Sequence, residues 1–257
     1  MSEPGVVFLM YHELESPGRP LAQSEPGYVR YIVRLADFRS QMEMLKHAGW
    51  QGASVGEAVE NFAEKTVALT FDDGCESDLL YAAPLLKQLN FGATFYITTG
   101  FLEKPGYLSR SQLRELVALG FEIGCHSMNH PYLTDLNDED LHREIAGAKL
   151  QLEQILGKKV EHFSCPGGRY DSRTLQEALT AGYRTVATSR IQMNFRSSDP
   201  FALGRVAVMR STSTATFQKL CEGRNLGRMQ LAVQLREAAR KLLGNSTYDR
   251  LRSALLK

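Results

Sequence analysis

Residues 67–74 read Val67-Ala68-Leu69-Thr70-Phe71-Asp72-Asp73-Gly74, an apolar run that stops abruptly at two adjacent carboxylates. A run this short with a sharp polar end reads as a buried strand whose last residues emerge at the rim of a sheet. The pattern recurs on both sides. Residues 6–10 lead to Tyr11-His12-Glu13, and residues 91–98 end at Thr99-Gly100. Residues 121–125 lead to His126-Ser127-Met128-Asn129-His130, residues 160–164 to Cys165-Pro166-Gly167-Gly168, and residues 183–187 to Thr188-Ser189-Arg190. Helical patterns lie between them: 35–48 closed by Gly49, 78–89, 109–119 with Ser109 as N-cap, 137–156 closed by Gly157, and 172–181 before Gly182. Strand alternating with helix implies an α/β fold with a parallel sheet, open or closed into a barrel. Both architectures place active sites at the C-terminal ends of strands, where the polar residues gather here.

The chain has 257 residues, of which 43% are hydrophobic and 23% charged, and a single barrel is an ordinary outcome at that size. Thirty basic residues against 29 acidic leave no global field to draw in nucleic acid, so a partner has to be argued from a site. Met1-Ser2-Glu3-Pro4-Gly5 lacks the basic start of a secretory signal, and the apolar run 6–10 is too short for one, so a cytoplasmic location is expected. Cys75, Cys125, Cys165 and Cys221 are scattered without a CxxC pair and read as free thiols.

Residues 17–31, with Pro17, Pro20 and Pro26, read as a loop near His12, and residues 189–200 are irregular. The division expected is a barrel over 1–215 and a basic helical extension over 216–257, with Leu231, Leu235, Ala239 and Leu242 on one stripe. From Lys219 onward there are nine basic residues against three acidic. That balance suits an anionic membrane surface at the inner face or an acidic glycan, although a terminal helix with a solvated basic face explains it more simply.

Two constellations carry chemistry. Adjacent carboxylates at Asp72 and Asp73 repel unless a cation or proton stabilises them, while the plain alternative is a turn or helix cap before Gly74. His126 and His130, four residues apart, can face one side of a helical turn and chelate a metal, although isolated histidines at that spacing are commonly bystanders. Two nitrogens and one carboxylate oxygen leave open positions for water and substrate, as catalytic divalent sites do.

These segments carry a resemblance. Residues 69–74 (LTFDDG) and 126–130 (HSMNH) resemble the first two motifs of the polysaccharide deacetylases, the NodB-homology family also known as carbohydrate esterase family four, and Cys165-Pro166-Gly167-Gly168 sits where its third motif falls. The resemblance extends over roughly residues 5–210. It implies a distorted (β/α)7 barrel, here with a helical C-terminal extension, and removal of N-acetyl groups from an N-acetylated carbohydrate. Asp73, His126 and His130 would bind a divalent metal, zinc foremost, with cobalt, nickel or manganese as alternatives. Asp72 would be the general base, and the Gly167 N–H would help hold the oxyanion. Tyr132, Pro166, Gly168, Arg169 and Tyr170 would contact substrate.

Two departures stand out. Ser164 occupies the position where the family commonly carries an arginine that holds the base, and Arg169 is a nearby substitute. No histidine follows His162 to act as the late general acid. Met10-Tyr11-His12 instead resembles permuted members whose last motif has moved to the N-terminus, which would make His12 the proton donor to the leaving amine. A strand-end packing histidine is the alternative.

Cys125 is expected in the core, with Cys75 and Cys165 as small buried residues beside the site, and Trp50 as core. Tyr132, Tyr170 and Phe195 lie in loops where a ring can stack on a sugar, while His47, His142 and His162 read as ordinary helical or surface residues. The rival functions are an O-acetyl esterase or small-amide deacetylase with the same centre, and a catalytically degenerate glycan-binding barrel motivated by Ser164 and the absent late histidine.

Overall fold

A computed structural model of the chain describes residues 3–243, with side-chain surroundings through residue 235. Ten strands are present among the described residues. They are β1 Val7–Tyr11, β2 Leu14–Glu15, β3 Val33–Arg34, β4 Gln51–Ala53, β5 Thr66–Phe71, β6 Thr94–Ile97, β7 Glu122–Cys125, β8 His162–Ser164, β9 Thr185–Ala187 and β10 Val206–Ala207. The main sheet is wholly parallel in the order β10-β1-β5-β6-β7-β8-β9, and β4 pairs with the first half of β5. Its two ends meet, because Leu203, just before β10, bridges to Ala187 of β9. The sheet is therefore a curled, irregularly closed barrel, as the distorted (β/α)7 expectation requires. Strands β1 and β5 are buried at every position, which matches their uninterrupted apolar sequence.

The expected helices form within a residue or two of their predicted ends. Leu35–His47 and Ser172–Thr180 are regular, and Arg110–Ala118 begins at Ser109 in a capping box with Gln112. Residues 138–156 run on as one rod, but the turn Arg143–Gly147 is π-helical, and so is Asp78–Ala82 ahead of Ala83–Gln88. Such π turns recur beside functional residues, and both of these carry a buried acid, Glu144 and Asp78.

Several elements lie outside the sequence reading. Strand β4 and helix Val55–Asn61 precede β5, the helix opened by a capping box of Ser54 and Glu57, and β10 completes the curl. The segment read as a loop over 17–31 contains the short helix Pro26–Val29 and is clamped at its base by pairing of β2 with β3. Glu13 holds it from below, accepting hydrogen bonds from Arg19 and the Ala22 N–H.

Helices Thr214–Cys221 and Leu226–Leu243 follow the barrel. Leu231 and Leu235 of the expected stripe are exposed, whereas the side chains of Ala239 and Leu242 and most of the basic tail lie outside the described residues. No described helix is long and apolar enough to cross a membrane. Of the cysteines, Cys125, Cys165 and Cys221 belong to the core cluster, and all four are buried free thiols. Trp50 packs against that core.

Candidate metal centre

The chain after β5 turns sharply, with Asp73 at φ 78° and Gly74 at φ 76°. This turn sends two consecutive carboxylates in different directions from the end of a fully buried strand. Asp72 is tied to the sheet through its N–H, which donates to Tyr11 O. Asp73 Oδ1 is buried and has no hydrogen-bond partner among the described residues.

Two imidazoles face that orphaned oxygen. His130 Nε2 is 3.6 Å and His126 Nε2 3.8 Å from Asp73 Oδ1, and one ligand atom from each of the three residues fits within 4.8 Å. His126 Nδ1 lies 2.8 Å from Ser164 O, and since a carbonyl only accepts, Nδ1 carries the proton and Nε2 presents its lone pair to the centre. Burial drives the His126 pKa down to about 3 and lowers that of His130 as well, so both rings are neutral at pH 7. A divalent cation fits this donor set: two neutral imidazole nitrogens, one buried unsatisfied carboxylate oxygen, and an open side where His130 remains about one-third exposed.

The histidines do not converge by a helical turn, as their spacing had suggested. Residues 126–130 are an irregular loop, with Ser127 at φ 65° and His130 at φ 61°. The loop is pinned from several sides. Glu144 accepts from the Met128 and Asn129 N–H groups and from Asn129 Nδ2, while the Gly100 N–H donates to Met128 O. Gly100 has to be glycine, because a Cβ there would sit 2.6 Å from Met128 O. Glu144 positions the loop and gave no signal in the sequence; it is one acid within a helical pattern.

Asp72 shows the largest departure from the sequence reading. Its carboxylate is held by Arg205, Nη1 to Oδ1 at 2.6 Å and Nη2 to Oδ2 at 2.8 Å, and Nη2 also reaches Ser164 Oγ at 2.6 Å. Ser164, the apparent departure from the family pattern, thus makes room for a guanidinium delivered from the start of β10 and orients it. Arg169 is not that substitute. It lies over the Tyr132 ring, its Cζ 3.9 Å from the centroid. Arg205 could have been suspected, since it interrupts an apolar run, Leu203-Gly204-Arg205-Val206-Ala207-Val208, and a charge buried in a strand needs a partner. Nothing local identifies that partner as Asp72, 133 residues away.

The two carboxylates consequently differ. Burial alone would raise Asp72, but Arg205, with His126, holds its carboxyl well below the usual range. Asp73 is pushed up to about 6 by burial and by the charge of Asp72, against the opposing effect of His12. Arg205 keeps one carboxylate ionised, and the other gains from a cation.

His12 stands at the end of β1, half-buried, with a buried Nδ1 that has no partner among the described residues. Its ring lies 5.1 Å from that of Tyr31. Gly167 and Gly168 have φ of 59° and 67° after Pro166, with Tyr132 against Gly167 and Ser189 against Gly168. Tyr170 is half-buried, with Arg190 over its ring. Phe195 is not at this end of the barrel; it packs against Gly5 below the start of β1. His162 is also not a surface residue. It is buried on β8, with Nε2 3.3 Å from Glu122.

The family model described as polysaccharide deacetylase matches residues 60–186. The protein named "Putative polysaccharide deacetylase YxkH" of Bacillus subtilis is 28% identical over 215 residues, 81% of this chain and 73% of that one. A peptidoglycan-N-acetylglucosamine deacetylase of Bacillus cereus is 35% identical over 127 residues, 49% of this chain and 57% of the relative. Among solved structures, a polysaccharide deacetylase from Bacillus cereus superposes with a TM-score of 0.75 at 25% identity, over 85% of this chain and 69% of that one.

Proposed function

Because the chain belongs to the polysaccharide deacetylase family, we propose that it is a metal-dependent hydrolase that removes N-acetyl groups from an amino sugar in an oligo- or polysaccharide or its precursor. One observation carries this reading: Asp73, His126 and His130 converge on one point beside a carboxylate, Asp72, that a buried guanidinium keeps ionised. A divalent cation held by those three residues, zinc in the first instance, would supply a Lewis acid that polarises the acetyl carbonyl and makes water acidic enough to lose a proton near neutral pH.

The remaining steps belong to the chain's own groups. Asp72 takes the proton from the attacking water. Its low pKa makes it a modest base, so Arg205 serves to keep it charged and aimed rather than to strengthen it. The Gly167 N–H donates to the oxyanion, a contact typically worth about 3 kcal/mol of barrier. His12 gives a proton to the departing nitrogen, taking the place of the late histidine that the sequence lacks. Tyr132, Pro166, Gly168, Arg169 and Tyr170 form the wall on which the sugar rests. The Arg205 clamp favours a working enzyme over a degenerate barrel, because a site without chemistry has no use for a buried ion pair aimed at a second carboxylate.

Metal analysis of the purified protein, coupled to acetate release from N-acetylated oligosaccharides, tests this reading. The Asp72→Asn protein should keep its metal and lose most turnover. Near wild-type acetate release from that variant would remove Asp72 from the role of base.

A further inference from the structure

Cations seated on aromatic rings surround the opening of this centre. Beside His12, the guanidinium of Arg30 lies 4.7 Å from the centroid of Tyr31. Beside His130, Phe101 stacks at 6.2 Å and carries Lys104 Nζ at 5.1 Å. Arg169 covers Tyr132, which is 47% exposed and rests on Gly167, and Arg190 covers Tyr170 next to Gly168. All four cationic residues are exposed, and none makes an ion pair among the described residues. Of the exposed arginines elsewhere, Arg34, Arg39, Arg143, Arg173 and Arg184 have carboxylate partners, whereas Arg114 and Arg196 reach only backbone carbonyls, so what the four cations at the mouth share is an aromatic seat without an ion pair.

We propose that this mouth is built for an N-acetylated glycan bearing acidic groups, carboxylate or phosphate, next to the acetylated sugar. The inference rests on the deacetylase reading and narrows its substrate. Aromatic faces suit the apolar face of a pyranose ring, and a guanidinium parked on such a ring is already oriented and partly desolvated. It can then grip an acidic oxygen pair in the plane of its own fork. A neutral glycan would leave four unpaired cations around the opening with nothing to neutralise. The chain as a whole is nearly neutral, with 30 basic and 29 acidic residues, so attraction of an acidic glycan would have to come from these four side chains and not from net charge.

The test uses three oligosaccharides of equal length: neutral N-acetylglucosamine units, N-acetylglucosamine alternating with a uronic acid, and N-acetylglucosamine units joined by phosphodiesters. Acetate release is followed at about 25 and about 250 mM salt, and binding to the Asp72→Asn protein is followed by calorimetry. At low salt an acidic oligomer should exceed the neutral one by about tenfold in kcat/KM and in affinity, with most of the preference lost at high salt. Whichever acidic oligomer leads identifies the anion. In the Arg169→Gln/Arg190→Gln double variant the acidic-to-neutral ratio should fall about tenfold. Equal or better use of the neutral oligomer, insensitive to salt, overturns the proposal while leaving the deacetylase reading standing. No acetate from any of the three overturns the deacetylase reading, and calorimetry then decides the charge preference by itself.

Discussion

Replacing Arg205 with methionine keeps much of its volume and removes the only guanidinium on Asp72 among the described residues. The native pair makes two short contacts to the carboxylate and one to Ser164, inside a region where Arg205 is 1% exposed and Asp72 2%. Breaking a buried pair from one side leaves an uncompensated charge and costs about 3–5 kcal/mol. For a chain of this size each 1 kcal/mol moves the Tm by about 2–4 °C, so a drop on the order of 10 °C is expected near neutral pH. The pH dependence identifies the cause. In the wild type the folded pKa of Asp72 lies below its unfolded value, so its contribution is present above that value and lost as pH falls. Without Arg205, burial loses its main opponent and the folded pKa rises above the unfolded value. The contribution is then present at low pH and lost as pH rises. The gap between the two proteins should therefore widen steadily from about pH 4 to about pH 7. Chemical denaturation of both proteins, metal-free, across that range measures it. A gap that is constant with pH, or a variant as stable as the wild type, would refute the assignment of Arg205 as the counter-charge of Asp72. Arg205→Lys keeps the charge but cannot span both carboxylate oxygens and Ser164, so it should fall between the two.

Other outcomes follow from the same geometry. His126→Ala should lose bound metal and turnover together, and adding zinc, which should raise the wild-type Tm, should leave that of the variant unmoved. His12→Ala should slow amide cleavage by about 10²–10⁴ while sparing activated acetyl esters, whose alkoxide needs less protonation; equal losses on both would remove His12 as the acid. Glu122, at the opposite end of the barrel, accepts from Thr94, Ser54 and Gly56, and against the effect of burial His162 first, then Thr94 and the Gly56 N–H, lower its pKa. Glu122→Ala should cost about 2 kcal/mol or more of stability at pH 7, progressively less below pH 4.5 in the unfolding curve, with kcat per folded molecule unchanged. Asp78 is buried with neither oxygen hydrogen-bonded among the described residues, and burial, with the charges of Asp73 and Glu13, raises its pKa well above the ordinary value. Its contribution is thus lost as pH rises, so Asp78→Asn should stabilise the protein increasingly toward alkaline pH; a constant difference would show Asp78 to be ionised.

Much of this protein was legible in one dimension because its strands are buried on both faces. A strand covered by helices on one side and filled by the barrel on the other must be apolar throughout, and where it reaches the rim it must turn polar at once. Runs such as 67–71 before Asp72 therefore record both the strand and the place where chemistry can occur. Strand β4 and β10 escaped notice because each is only two or three residues long and reads as loop, and helix Val55–Asn61 because its signature is a single Ser-x-x-Glu.

The sequence alone determined the alternating α/β order, a parallel sheet and the identity of the groups at the rim, since these depend on local hydrophobic pattern and on residue type; a barrel was implied only by the family resemblance, and its closure is a property of the tertiary structure. What holds those groups was settled only by the tertiary structure: Arg205 on Asp72, the Ser164 carbonyl on His126, and Glu144 under the loop of His130. Each of these contacts joins residues that are distant in the chain or lie in irregular backbone. Their energy comes from burial and closing of the sheet, quantities that exist only once the strands are side by side.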